Sequence, residues 1–208
     1  MNETGLNELA TQISGCQRCS LHTGRTKTVP GAGNPNAQIM FIGEAPGQRE
    51  DDLGIPFVGR SGEYLNYLLN LIQLERQSVF ITNVVKCRPP ANRDPEAEEI
   101  EACRIYLDQQ IDIINPSVIV TVGRFSMARY FPKAKITQIH GQAKFVDKRA
   151  IYPIYHPAAA LRNPALRRDM EADIKRLLEV IAQVKRLRNV EITSNIPDKD
   201  PPQQMALF

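Results

Sequence analysis

The sequence predicts an α/β fold, a three-layer α/β/α sandwich around a central, mostly parallel sheet of four strands. Four short apolar runs occupy residues 38–42, 79–83, 118–122 and 150–155. Each run is apolar at nearly every position rather than alternating with polar residues, which is typical of parallel strands covered on both faces. Segments with helical periodicity separate the runs. Strands that alternate with helices predict helices on both faces of the sheet.

Two helices are predicted between the first three runs. The first is expected to have Ser61 as its N-cap, because a serine hydroxyl can bond to the free amides of the first turn. Its buried face comprises Leu65, Leu68, Leu69 and Ile72. The second is expected to begin at Asp94, where Pro95 and Glu96 are typical of a helix start. Apolar residues then follow at helical spacing, at Ile100, Cys103, Leu107 and Ile111.

A last helix and a tail are expected after the fourth run. The inner stripe of this helix is predicted to comprise Met170, Ile174, Leu177, Leu178 and Ile181. Apolar periodicity stops near Asn189, and a segment rich in proline and aspartate follows, which indicates a flexible tail over residues 189–208. Because 208 residues suit a single core, residues 1–188 are predicted to form one domain.

Composition and charge exclude some classes of protein. Hydrophobic residues are 42% of the chain and charged residues 24%, as in soluble globular proteins. No apolar stretch approaches the roughly 20 residues that span a bilayer. The start of the chain lacks the basic and apolar segments of a signal peptide, so we expect a cytoplasmic protein that does not bind a membrane.

The net charge of +3 is weak support for binding nucleic acid. Residues 162–188 contain eight Lys or Arg against four acids, while Glu50, Asp51 and Asp52 form an acidic cluster elsewhere. A basic helix is more often a solvated face than a binding surface. Charge alone therefore does not indicate a partner.

Four cysteines indicate a metal site. Cys16 and Cys19 form a CxxC before the first predicted strand, Cys87 follows the second strand, and Cys103 lies in the next helix. A disulfide is disfavoured in the cytoplasm, and a thioredoxin-like motif would lie at a strand-to-helix junction. Four thiolates suit either zinc or a [4Fe–4S] cluster. The wide spacing of Cys87 and Cys103 modestly favours the cluster. The alternative without a metal is two buried thiols and a CxxC that occurs by chance.

Several polar residues follow predicted strands directly. In open α/β folds, active sites lie beyond the carboxyl ends of the strands. The segment 43–47, with the sequence GEAPG, follows the first strand, Asn83 ends the second, and His156 follows the last. These residues are therefore expected to lie close together.

These motifs carry a resemblance to a known family. GEAPG is followed by FVGRSG at residues 57–62, by NVVKCRPP at residues 83–90 and by HPAAALRN at residues 156–163. With the four cysteines in order, the chain resembles the family 4 uracil-DNA glycosylases of bacteria and archaea over residues 16–181. GEAPG alone is a weak signal, but the combination is highly specific.

The resemblance implies a base-excision repair enzyme that hydrolyses the N-glycosidic bond of deoxyuridine in single- or double-stranded DNA. It implies a structural [4Fe–4S] cluster on Cys16, Cys19, Cys87 and Cys103, since this hydrolysis needs no electron transfer. It also implies a uracil pocket built from Gly43, Glu44, Ala45, Phe57, Asn83 and His156. The enzyme is expected to act as a monomer.

The implied residues meet the needs of the reaction. A base must leave the helical stack to be excised, and Phe57 offers a flat apolar wall for it. The side-chain amide of Asn83 can donate to O4 of uracil through its NH2 group and accept N3–H through its oxygen. His156, neutral or protonated, is expected to donate to O2, where negative charge develops on the leaving base. Glu44 is expected to position the water or to hold the shape of its loop.

DNA contacts are expected around this pocket. Arg60, Ser61 and Gly62 begin a helix, where amides and a hydroxyl suit one phosphate. Leu161 is expected to wedge into the base stack, and Arg162, with Arg167 and Arg168, to meet the DNA backbone.

Two further features concern turnover and partners. A sister group that becomes covalently fixed to uracil-containing DNA carries GEQPG and a reactive histidine in a basic loop. This chain has GEAPG, and residues 88–94 contain no histidine, so turnover is expected.

The chain ends in QMALF, with Gln204, Leu207 and Phe208, which resembles the peptide that docks on a bacterial sliding clamp. The alternatives to the enzyme are a non-catalytic nucleic-acid-binding relative and an iron–sulfur redox or zinc structural protein.

Overall fold

The computed structural model describes residues 1–194, with side chains through residue 188. The proposed clamp peptide with Gln204, Leu207 and Phe208 lies outside the described residues. None of the described helices has the length and apolar character that would let it pass through a lipid bilayer.

A mixed sheet of six strands lies at the centre, in the order β1-β3-β2-β4-β6-β5. The four central strands are parallel: β2 Ile39–Gly43, β3 Phe80–Asn83, β4 Val118–Val122 and β6 Arg149–Ile154. They coincide with the four predicted runs. The predicted number of strands was too low, because two antiparallel edge strands, β1 Ala32–Gly33 and β5 Lys144–Val146, are too short to show an apolar run.

Helices cover both faces of the sheet, so the predicted α/β/α sandwich is confirmed. The helices of the described chain are α1 Asn2–Ser14, α2 Gln48–Leu53, α3 Arg60–Leu71, α4 Ala97–Ile114, α5 Arg124–Ala128, α6 Ile136–Ile139, α7 Pro157–Arg162 and α8 Leu166–Ser194. Helices α3 and α8 pack on one face, which carries Phe41, and helices α1 and α4 pack on the other, which carries Met40 and Ile42. Neighbouring residues of β2 thus face opposite cores, as the pleat of a strand requires.

Both predicted helix starts are displaced. Helix α3 begins after Gly59 rather than after Ser61, and no side-chain cap is present. The carboxylate of Glu50 binds the chain just before the first turn, accepting the N–H groups of Val58 at 2.8 Å and Gly59 at 2.7 Å. A distant acid therefore holds the start of this helix, and Ser61 lies inside the first turn rather than capping it.

Helix α4 begins after Glu96 rather than after Asp94. Glu96 and Glu99 form a capping box, in which the Glu99 carboxylate accepts the Glu96 N–H at 2.8 Å. Glu99 also accepts both terminal nitrogens of Arg93, at 2.9 and 2.6 Å, and these bonds hold its pKa at about 2. Asp94 instead forms an ion pair with Arg124.

The inner stripe of α8 differs from the prediction at one position. Met170, Ile174 and Leu177 are buried, but Leu178 is 47% exposed. A residue directly after a buried one is turned by about 100° around the helix, and the buried stripe continues instead through Val180 and Val184. The helix reaches Ser194, past the boundary expected near residue 189.

Candidate active site

The carboxyl ends of the parallel strands open on one cavity of about 470 Å³. Phe57, Asn83 and His156, which are far apart in the sequence, all line it. Its wall also includes Glu44, Ala45, Ser61, Tyr155 and Arg162. A cavity of this size, with an apolar wall and a few polar groups, suits a small-molecule group such as a nucleobase.

Asn83 presents an acceptor that the protein leaves free. Its side chain is 1% exposed, and no protein group of the described chain donates to its Oδ1. Gly43 lies directly opposite Asn83 in the sheet register. A buried acceptor without a donor costs about 1–3 kcal/mol, so this atom is suited to a donor on a ligand.

Phe57 is held in an unusual backbone conformation. Its φ is 50°, in the left-handed region, and its side chain is 5% exposed. Gly62 lies beneath it, where an added Cβ would fall 1.9 Å from the Phe57 carbonyl oxygen. Together with the bonds from Glu50 to the next two amides, this packing fixes the ring at the cavity wall. Strain of this kind persists only where the surroundings enforce it.

His156 is the N-cap of α7, and its Nδ1 accepts the N–H of Ala158 at 3.2 Å. Because Nδ1 is an acceptor, the ring proton of the neutral form lies on Nε2. Burial, reinforced by Arg162 and opposed by Glu50, lowers the pKa of His156 to about 4. The residue is therefore a neutral imidazole near pH 7. Its ring centre lies 5.8 Å from that of Phe57.

The four cysteines line a second cavity, on the side of the sheet that carries α1 and α4. Cys16, Cys19, Cys87 and Cys103 are all free thiols. Arg18, Arg25 and Lys86 line the same cavity, and Arg25 donates to the Cys87 sulfur at 3.3 Å. Burial raises the pKa of Cys103 to about 11. Within the described chain, no three His, Cys, Asp or Glu side chains are grouped so as to hold a single metal ion.

Comparisons with known proteins bear on this arrangement. A model of the uracil DNA glycosylase superfamily matches residues 30–181. A type-4 uracil-DNA glycosylase of Sulfurisphaera tokodaii is 49% identical to the chain, with 87% of each protein covered. The chain belongs to the type-4 uracil-DNA glycosylase family.

Two further members show similar agreement. The type-4 uracil-DNA glycosylase of Saccharolobus solfataricus is 46% identical, with 85% of this chain and 87% of that protein covered. The one from Archaeoglobus fulgidus is 44% identical, with 84% and 92% covered. The family resemblance seen in the motifs is thus confirmed over most of the chain.

Glu44 extends from the GEAPG segment of this glycosylase-family fold into the cavity. Burial, and then the nearby Asp94, raise the pKa of its carboxyl, while Arg124 and Arg162 oppose that effect. The Asp94–Arg124 ion pair lies beside it on the cavity wall. This wall is therefore charged, in contrast to the apolar wall at Phe57.

The residues expected to contact DNA fall into two groups. Arg60 and Arg162 are exposed, as are Arg167 and Arg168 on α8, and Leu161 is partly exposed in α7. Ser61 and Arg162 also line the cavity. Gly62, in contrast, is buried beneath Phe57, so its evident role in this fold is close packing.

Sequence reasoning missed Glu50 and Arg124. The sequence shows Glu50, Asp51 and Asp52 only as an acidic cluster. In the structure Glu50 and Asp51 are buried, with exposed fractions of 8% and 1%. Asp51 accepts the N–H of Thr26 with both oxygens, at 3.1 and 3.0 Å. Charged residues are rarely buried, and an acid that accepts backbone amides from a distant loop leaves no local pattern. Arg124 likewise follows β4, a strand to which no site residue was assigned.

Gly43→Ala is expected to slow a reaction in this cavity by roughly 100-fold, the cost of misplacing reacting groups by about 1 Å. A Cβ at Gly43 would fall 2.4 Å from Asn83 Oδ1 and 2.6 Å from Phe57 Cζ, so both side chains must move. The measurement is the single-turnover rate with uracil-containing DNA, the substrate in the names of these relatives. Gly15→Ala is the matched control, since a Cβ there meets nothing within 4 Å and φ is −87°. A wild-type rate for Gly43→Ala would contradict this geometry.

Proposed function

We propose that the chain hydrolyses the N-glycosidic bond of deoxyuridine in DNA, releasing uracil and leaving an abasic site. One observation carries this proposal: a free buried acceptor on Asn83, the ring of Phe57 and a neutral His156 line one cavity at the carboxyl ends of the strands. The family membership supports the same activity.

Base selection is proposed to reside in Asn83. Uracil carries a proton on N3, whereas N3 of cytosine is an acceptor. The free Oδ1 of Asn83 is suited to accept N3–H of uracil, and cytosine would leave two acceptors facing each other. A site built on such a bond rejects the wrong base because its buried group stays unpaired. The Phe57 ring then supplies the flat face against which the everted base stacks.

Bond cleavage is proposed to depend on His156. As the C1′–N1 bond breaks, its electron pair passes to the base and negative charge collects at O2, while the sugar becomes positive. The Nε2–H of neutral His156 donates to O2 and stabilises the departing anion. Water adds to C1′ and releases a proton to solvent, and the departing uracil anion takes up a proton from solvent, so that one water is added across the broken bond. Glu44, on the charged wall of the cavity, is proposed to position that water.

Cys16, Cys19, Cys87 and Cys103 are proposed to hold a [4Fe–4S] cluster. The four thiols share one cavity, and its lining of Arg18, Arg25 and Lys86 suits a group with net negative charge. When bound, the cluster would supply cross-linking rather than reaction chemistry. It would join the loop after α1 to the segment after β3 and to α4.

DNA is proposed to reach the cavity across the exposed cations Arg60, Arg162, Arg167 and Arg168, with Leu161 as the wedge. Arg162 lines the cavity, Arg60 precedes the lining residue Ser61, and Arg167 and Arg168 lie at the start of α8, which packs against α7; these positions support this path. Docking on a sliding clamp through Gln204, Leu207 and Phe208 stays a prediction from the sequence.

The activity is tested with an oligonucleotide that contains one uracil, treated with alkali after incubation to reveal abasic sites. We expect cleavage at the uracil with the wild-type protein, much less with Asn83→Ala, and none with a thymine or cytosine control strand. Equal affinity for uracil-containing and normal DNA without cleavage would indicate a non-catalytic binding protein instead. A protein–DNA adduct on a denaturing gel would contradict turnover.

A further inference from the structure

Lys86 is a buried charged residue to which the proposed mechanism assigns no role. It is 1% exposed, and no carboxylate of the described chain pairs with it. A buried charge without compensation is costly. Lys86 also lines the cysteine cavity, beside Cys87 and Cys103.

The Lys86 ammonium uses all three of its donors. It donates at 2.7 Å to the Thr82 hydroxyl, at 2.7 Å to the Gln110 side-chain oxygen, and at 2.7 Å to the backbone carbonyl of Asn83. An ammonium has three N–H groups, so its bonding capacity is filled. Two of these partners are the last residues of β3, the strand that ends in the base-selecting amide.

The acceptors of Lys86 are themselves fixed. The Thr82 hydroxyl donates to the carbonyl of Pro30 at 2.7 Å, and the Gln110 amide donates to the same carbonyl at 2.7 Å. Five residues are thus joined in one network between the end of β3, α4 and the segment before β1: Pro30, Thr82, Asn83, Lys86 and Gln110. Such a network holds its members in a single arrangement.

Lys86 lies next to the cysteines. Lys86 and Cys103 line the same cavity, and the next residue in the chain is Cys87. The turn between Asn83 and Lys86 also contacts the pocket, because Val84 N–H donates to the Gly43 carbonyl at 3.1 Å and Val85 N–H to the Glu44 carbonyl at 3.2 Å. Lys86 therefore joins the two regions: it lines the cysteine cavity, and its ammonium bonds to the end of β3, whose last residue, Asn83, lines the base pocket.

We propose that Lys86 is a positioning residue: its ammonium holds the end of β3 so that the Asn83 amide keeps the orientation that selects uracil, and its main chain ties that end to the cysteine cavity. This inference rests on the proposed function of Asn83. Lys86 does not touch the base, so it acts through Asn83.

The test is a double-mutant cycle between Lys86→Met and Asn83→Ala in the iron-loaded protein. Met keeps most of the apolar length of the side chain but cannot donate. We expect Lys86→Met alone to lower the single-turnover rate roughly 10- to 100-fold, the value of a hydrogen bond to a charged group. In the Asn83→Ala background the same change should alter the rate by less than about threefold. The exposed Lys133→Met is the matched control.

A second readout does not depend on turnover. Fluorine at C2′ disfavours positive charge on the sugar, so duplex DNA with 2′-fluoro-2′-deoxyuridine serves as a slowly cleaved ligand. We expect Lys86→Met to reduce the preference for this DNA over normal DNA roughly 10-fold, with affinity for normal DNA and iron content unchanged. If Lys86→Met does not fold, Thr82→Val, which removes one acceptor, is expected to show a smaller loss with the same non-additivity.

The outcomes separate this inference from the function on which it rests. A wild-type rate for Lys86→Met, or losses that simply add to those of Asn83→Ala, would overturn the positioning role and leave the glycosylase proposal intact. If the rate of Lys86→Met falls only in proportion to the iron that the variant has lost, Lys86 serves to retain the cluster. That result would also overturn the positioning role. If Asn83→Ala itself retains the wild-type rate, base selection by Asn83 fails as well.

Discussion

Replacing His156 with alanine is expected to lower the single-turnover rate of uracil release by about 100- to 1,000-fold. The change removes the Nε2 donor that stabilises negative charge on O2 of the departing base. Affinity for uracil-containing DNA should change much less, because this bond strengthens only as the charge develops. The measurements are rapid-quench kinetics under enzyme excess and equilibrium binding to the 2′-fluoro ligand.

His156→Asn separates the two roles of this side chain. His156 is the N-cap of α7 and accepts the Ala158 N–H. Asparagine is also a good N-cap, but its shorter side chain cannot place a donor where Nε2 lies. We expect His156→Asn to recover the stability of the helix without recovering the rate. If it restores the rate as well, the histidine serves as a cap and not as a donor.

The pH profile provides an independent check on the form of His156 that acts. Because its pKa is lowered to about 4, the ring is neutral through the range of most assays. The contribution of His156 to the rate should therefore be constant from about pH 5.5 to 8 and change only as pH falls toward that pKa. If the protonated imidazolium were the donor, the excision rate would instead rise as pH falls through about 6.5, the ordinary pKa of histidine.

Replacing Cys103 with serine is expected to remove the bound iron and lower the melting temperature by roughly 10 °C or more. A structural metal site contributes several kcal/mol, and each kcal/mol shifts the melting temperature by about 2–4 °C in a chain of this size. Cys103 lies in α4, whereas Cys16 and Cys19 lie on the loop after α1. Loss of the cluster would release that loop, so protease sensitivity near Cys16 should rise as iron content falls.

Ile13→Val is the matched control for the cysteine variant. Ile13 lines the same cavity and is 1% exposed, but it carries no ligand atom. Removing one methylene there should cost about 0.5–1.5 kcal/mol and leave iron content unchanged. About four irons per wild-type chain are expected for one cube. A single zinc ion in place of iron, or full iron in Cys103→Ser, would contradict the proposed cluster.

The parallel sheet was predictable because each central strand is apolar at nearly every position. Such a run can only be buried on both faces, and the structure buries every residue of β2, β3 and β4. The edge strands β1 and β5 could not be predicted in the same way. All three residues of β5 are exposed, and pairing with β6, rather than burial, makes this segment a strand.

The helix starts show where local patterns mislead. Ser61 and Asp94 are both good capping residues in isolation. The amides before α3 are satisfied by Glu50, and α4 uses the capping box of Glu96 and Glu99. Which of several possible acceptors reaches an amide depends on how distant segments pack, and the spacing of residues along the chain does not contain that information.

The sequence by itself determined the sheet, the layering of helices and the residue types at the strand ends, because periodicity and local order are properties of neighbouring residues. Only the tertiary structure decided that Phe57, Asn83 and His156 share a cavity, that His156 presents Nε2, and that Glu50 and Lys86 are buried. The physical reason is that burial and hydrogen bonding of a charged side chain depend on groups far along the chain. A carboxylate or ammonium enters the interior only when folding brings enough partners to replace its water.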